Sequence, residues 1–165
     1  AVRAPSFQFG GLLRKFSAMS DQEFSELIKK RPLKAEFYQS FNKNTGFTQE
    51  QIFESLAVIS RTAKRMDEML DKFGGPWLLG TDYSLADIAV LPLIDRIEDL
   101  GLDGLWIEPY PSVSKWLNNA QQRTATNKTY FHGSRLSEQF PDLVKGPGSL
   151  SDWTDNYFKA RGNKD

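Results

Sequence analysis

The stretch Gly75-Pro76-Trp77-Leu78-Leu79-Gly80-Thr81-Asp82-Tyr83-Ser84-Leu85-Ala86-Asp87-Ile88 decides the reading of this chain. Glycine and proline stop one element, a short loop follows, and Ser84 then stands three residues before Asp87, between the apolar Tyr83 and Ile88. A capping residue followed three places later by an acid, with an apolar pair around it, is a helix start made of a capping box and a hydrophobic staple. Ser84 and Asp87 are therefore assigned to structure, with a cap worth about 0.5–2 kcal/mol. The helix they open carries Leu85, Ile88, Ala89, Val90, Leu91, Leu93, Ile94 and Ile97. Being apolar nearly all round, it is expected in the middle of the molecule. Pro92 within it removes one backbone donor and predicts a kink.

Upstream, Thr48 and Gln51 form a second capping box, stapled by Phe47 and Ile52. From there Ile52, Leu56, Ile59, Ala63, Met66, Leu70 and Phe73 recur at steps of four and three, one face of a long helix that Gly74-Gly75-Pro76 ends. A coiled coil is the weaker reading, because that seam spans only about three heptads. Ser20 and Glu23 make another box, with Met19 and Phe24 as staple, and open a helix to Arg31. Pro32 then opens a helix through Phe41. Phe9, Leu12, Leu13 and Phe16 sit at i, i+3, i+4 and i+7, which predicts one N-terminal helix from about Pro5, although Gly10 and Gly11 weaken it.

Downstream, Pro111 starts a helix through Gln122 with Val113, Trp116, Leu117 and Ala120 at helical steps. Beyond Arg123 the periodicity fades, so the core is placed at about residues 5–125 and a tail at about 126–165. Ser151 is a candidate cap for a short helix that packs Trp153 and Tyr157, with Phe158 beside them, on the bundle. Nothing alternates as a strand would, so the expected class is all-α, about six or seven helices.

The chain of 165 residues holds 21 basic and 21 acidic residues, leaving no net field to attract nucleic acid or an anionic membrane surface. Cysteine is absent, which removes disulfides, thiolate metal sites and cysteine nucleophiles. The longest apolar run, Ile88 to Ile94, is far short of the roughly 20 residues of a spanning helix. Ala1 to Gly10 carry no secretory pattern and run straight into a helical one, so the start is read as a truncation.

The run from Gly75 to Ile88 resembles the C-terminal domain of the glutathione transferase superfamily, in which a WLLG loop precedes an S-x-A-D capping box. Tyr110-Pro111 followed by Trp116 is similar to the next signature of that family. The resemblance covers Gly74 to Arg123, and helix order extends it to about Pro5. It implies a helical bundle that follows a thioredoxin-like domain, absent from this chain, which binds glutathione and carries the thiol-polarising residue. Glutathione is then a co-substrate, no metal is implied, and the chain supplies the hydrophobic co-substrate pocket for conjugation or cleavage of aromatic electrophiles. A homodimer and a cytoplasmic location are further expectations of the family. The aromatic tail faintly resembles bacterial β-etherases and reductive dehalogenases of the superfamily. A non-catalytic interaction module, of the kind found in translation factors and tRNA synthetases, is the alternative.

Phe9, Leu12, Leu13 and Phe16 are the candidates for that pocket, with core packing as the competing role. Trp153, Tyr157 and Phe158 are candidates to close it, or to anchor the tail. His132, the single histidine, has no partner at metal-ligand or triad spacing and reads as a surface residue. Arg31 either meets an anionic substrate or complements a helix C-terminus.

Overall fold

A computed structural model describes residues 1–129 and 135–162; His132 lies outside them. In chain order the helices are α1 (Arg3–Phe9), α2 (Leu12–Ser17), α3 (Asp21–Lys29), α4 (Ala35–Gln39), α5 (Gln49–Phe73), α6 (Leu85–Asp99), α7 (Pro111–Gln121), α8 (Thr124–Thr129), α9 (Leu136–Gln139) and α10 (Ser151–Gly162). Short 3-10 turns stand at Pro32–Lys34 and Asp103–Leu105. No strand occurs among the described residues, only the isolated bridges Asn42 to Gly46 and Trp77 to Gly80. The class is all-α, as expected.

The long helix forms where its sequence pattern places it. Thr48 accepts from the Gln51 amide at 3.3 Å while the Gln51 side chain accepts from the Thr48 amide at 2.9 Å, so two of the helix's orphan donors are satisfied at once. Gly74 ends α5 in the left-handed conformation and its amide donates to Leu70. Ile52, Leu56, Ile59, Ala63, Met66 and Leu70 are buried in one cluster, and Phe73 stays half exposed. The face packs against α7, α1 and the 3-10 turn at Asp103–Leu105. On α7, Val113, Trp116, Leu117 and Ala120 complete the layer.

The single N-terminal helix is not formed. Gly11 takes φ 83°, a conformation that costs glycine nothing and other residues much, and the chain folds back there so that α1 and α2 pack on each other. The spacing of Phe9, Leu12, Leu13 and Phe16 therefore does not make one face. Phe16 enters a second, aromatic cluster with Phe7, Tyr38 and Phe41; Leu12 is 45% exposed. The Pro32 element also differs, being a 3-10 turn followed by α4; the split at Gly11 together with α8 and α9 gives ten α-helices among the described residues.

α6 departs from expectation on its surface. Leu91, Ile94 and Ile97 are buried, but Leu85 is 81% exposed, and Ile88, Ala89, Pro92 and Leu93 are exposed with it. The helix continues through Pro92, which lies on this open side.

Three acids in and just beyond α6 are also buried. Asp95 accepts from Gln121 at 3.0 Å and pairs with Arg135. Asp99 accepts from the backbone amides of Leu136 and Ser137 at 2.7 and 3.3 Å, capping α9. Asp103 accepts from the Gly148 amide at 2.6 Å. Together with Val144 and Tyr157, both in the main core, they fasten the tail to the bundle. Burying these carboxylates is tolerable only because each is matched by donors.

Glu98 lies among them, and burial pushes its carboxyl up, aided by Asp95 and Asp103 against the opposing Gln121 bond and Arg135. A raised folded value means that ionising Glu98 opposes folding, a cost present above the folded value and gone below the unfolded one. Glu98→Gln should therefore raise the denaturation midpoint near neutral pH, with the gain fading below about pH 4. Asp99→Ala should strip α9 of its cap and leave two amides unmatched, a loss of about 2–4 kcal/mol. Limited proteolysis should then cut the segment between α8 and α10 first; cleavage no faster than in the parent would mean Asp99 does not hold the tail.

Candidate functional site

Asp87 is wholly buried at the start of α6 and has four donors on its two oxygens. The Leu78 amide and the Trp116 indole donate to Oδ1 at 3.0 and 2.8 Å; the Ser84 amide and hydroxyl donate to Oδ2 at 2.9 and 2.7 Å. The residue read as a helix cap thus also joins the loop before α6 to α7. Burial by itself pushes the Asp87 carboxyl up, but these bonds outweigh it and hold it below the ordinary carboxylate range.

The loop is shaped to present Leu78 to that carboxylate. Trp77 and Gly80 exchange backbone hydrogen bonds at 3.1 Å each way. A side chain on Gly75 would meet the Gly80 carbonyl at 2.0 Å, so only glycine lets the two limbs approach. On the outer side Trp77 meets Tyr83 edge to face at 4.8 Å, and the Arg123 guanidinium lies 3.7 Å from the Tyr83 ring centre. Burial pushes the Tyr83 hydroxyl up, against the opposing charge of Arg123.

The candidate pocket residues divide among separate surroundings. Phe9 and Leu13 line a hollow of about 440 Å³ between the N-terminal helices and the tail, with Arg14 at its edge and Leu143 and Leu150 opposite. Arg14, in that lining, pairs with Asp142 of the tail. Phe9 packs edge to face on Trp153 at 5.1 Å, so the two groups that the sequence suggested for wall and lid do touch. Trp153 also meets Phe53, as does the buried Tyr157, whose hydroxyl accepts from Arg161 at 2.9 Å. Phe158 is 37% exposed beside Ile107 and Pro109, at another hollow of about 740 Å³. Leu12 and Phe16 border a third, described below.

Asp95, Asp99 and Asp103, which organise the tail, escaped the sequence reading. Their signal was present: with Asp87 they recur at intervals of eight, four and four, which puts Asp87, Asp95 and Asp99 on one side of the mostly apolar α6 and Asp103 just beyond it. Among the described residues there is no group of three or more His, Cys, Asp or Glu side chains placed to hold a metal, and no helix is long and apolar enough to cross a membrane.

Residues 49–119 match the family model of the glutathione S-transferase C-terminal domain. The match runs from the start of α5 into the last turn of α7 and so contains the loop, Asp87 and Trp116, the parts that one carboxylate ties together. With the all-helical architecture, it makes the fold a bundle like that domain. No curated protein and no solved structure matches the chain, and the finer likeness to β-etherases and dehalogenases has no support.

Removing the Asp87 carboxylate leaves the Leu78 amide and the Trp116 indole buried without acceptors, each worth about 1–3 kcal/mol. Asp87→Ala should then cost at least about 3 kcal/mol, beyond the ~0.5–2 kcal/mol of a plain cap. Since the folded value is depressed, this stabilisation is full above the unfolded value and is lost as pH falls through the folded one. Denaturant midpoints of mutant and parent should be well separated at pH 7 and converge in acid; coincidence at pH 7 would refute the linking role.

Proposed function

We propose that this chain serves as the C-terminal domain of a glutathione transferase-like enzyme and supplies the pocket for its hydrophobic co-substrate. The observation that carries this reading is the apolar strip along α6, where Leu85, Ile88 and Leu93 are 81%, 51% and 46% exposed immediately beyond the Asp87 loop. An apolar helix face inside the stretch that matches the family model is a surface for a partner domain. The partner is a thioredoxin-like domain, which holds glutathione and polarises its thiol. The co-substrate lies in the hollow lined by Phe9 and Leu13, with Trp153 backing Phe9, and a volume of about 440 Å³ suits a small aromatic molecule. There the thiolate attacks an electrophilic carbon and displaces its leaving group.

An interaction module without catalysis would use the same α6 strip, but it has no use for an apolar hollow between the N-terminal helices and the tail. That hollow favours the enzyme.

Titration calorimetry of the 165-residue chain with glutathione should show no measurable binding, and a chlorinated aromatic should bind weakly, because a site lacking one wall buries less than the usual ~70–90% of its ligand. Micromolar glutathione binding by this chain would overturn the division of labour. Ile88→Lys should leave the isolated domain within about 0.5 kcal/mol of the parent, yet abolish docking once a thioredoxin-like domain is joined to it.

A further inference from the structure

A third hollow, of about 280 Å³, lies where α1, α2, the turn at Pro32–Lys34 and α4 meet. Arg3, Arg31 and Lys34 all line it, and no carboxylate does. Among the described residues none of the three cations forms an ion pair. Three like charges around one concavity, in a chain of zero net charge, raise a local positive potential that no ion pair among the described residues offsets.

The walls are aromatic and the polar groups are incompletely used. Phe37 carries the Arg3 guanidinium 5.0 Å from its ring centre, and Phe7 and Phe16 stack at 5.4 Å behind it. Arg31 lies beyond the end of α3, and its guanidinium donates to the Tyr38 hydroxyl at 3.0 Å. Tyr38 is buried, and its own hydroxyl hydrogen has no acceptor among the described residues. Ser6 Oγ, in the same lining, is buried without any hydrogen-bond partner. Two hydroxyl donors lack acceptors and three cations lack anions, all in one hollow; an oxyanion supplies what both sets miss.

We propose that this hollow binds a small aryl carboxylate. Its carboxylate faces Arg31 and Lys34, where a guanidinium fork suits its two oxygens, and its ring lies against Phe37 and Phe16. The volume falls just below the ~300–1,000 Å³ of ordinary small-molecule sites and limits the ligand to one or two rings. The site is separate from the hollow lined by Phe9 and Leu13 and does not depend on the transferase reading.

The test is calorimetry of the 165-residue chain with 2-naphthoate, with the neutral methyl 2-naphthyl ketone of similar shape, and with inorganic phosphate. Naphthoate should bind at least about tenfold more tightly than either, and its affinity should fall as salt rises from about 20 to 200 mM. Arg3→Gln with Lys34→Gln should weaken naphthoate by about tenfold or more while the circular dichroism of the chain stays unchanged; both cations are exposed, so folding should not suffer. Lys64→Gln, which removes a like charge on α5, should leave the affinity as it is. Equal binding of the neutral ketone, equal binding of phosphate, an unaffected double variant, an equally affected Lys64 variant, or no naphthoate binding at millimolar concentration would each overturn the proposal.

Discussion

One buried carboxylate sets the relation among the parts of this bundle. Asp87 begins α6, accepts from the loop behind it through Leu78, and accepts from α7 through Trp116. Placing a charge in the interior is costly, and the cost is met because four donors converge on two oxygens. The arrangement is consequently all or nothing. A loop with another shape would withdraw the Leu78 amide, and a shift of α7 would withdraw the indole; either leaves a charged group short of partners. Gly75 acts through the same constraint, since the close approach it permits shapes the loop that carries Leu78.

The device is repeated along the helix and in the turn just after it. Asp95, Asp99 and Asp103 reach Arg135, the start of α9 and Gly148, so the tail is held by directed polar bonds as well as by Val144 and Tyr157. Asp67 on α5 likewise accepts from the Ser112 amide at 3.1 Å and fixes the first turn of α7. Apolar burial supplies most of the driving force in a core of this kind, but it is not directional. The acids add direction: each specifies which donor of a distant segment, backbone amide or side chain, sits beside it.

Much of this was legible in the residues because the rules involved are local. The boxes at Ser20, Thr48 and Ser84 and the buried face of α5 need only neighbours within a turn or two, and they form where the spacing puts them. The N-terminal stripe failed for an equally local reason, the glycine pair that spacing alone outvoted. α6 misled because apolar residues all round a helix do not say which sides this fold covers, and Leu85, Ile88 and Leu93 stay exposed. The acids on α6 were missed because their partners stand some forty residues away, in a segment with no periodicity to read. As for the candidate site, Phe9 and Trp153 meet, whereas Leu12, Phe16 and Phe158 lie at other hollows, a division that no pattern along the chain encodes.

The contact of Phe9 with Trp153 joins the head of the chain to its tail across nearly its whole length. Closing so large a loop is entropically expensive until the helices between are in place, so it belongs late in folding. Within the middle of the chain the Asp87 junction closes smaller loops, nine residues to Leu78 and 29 to Trp116. A contact that forms late is expected to act on the unfolding rate more than on the folding rate, which ties the Phe9–Trp153 seam to how long the fold stays closed.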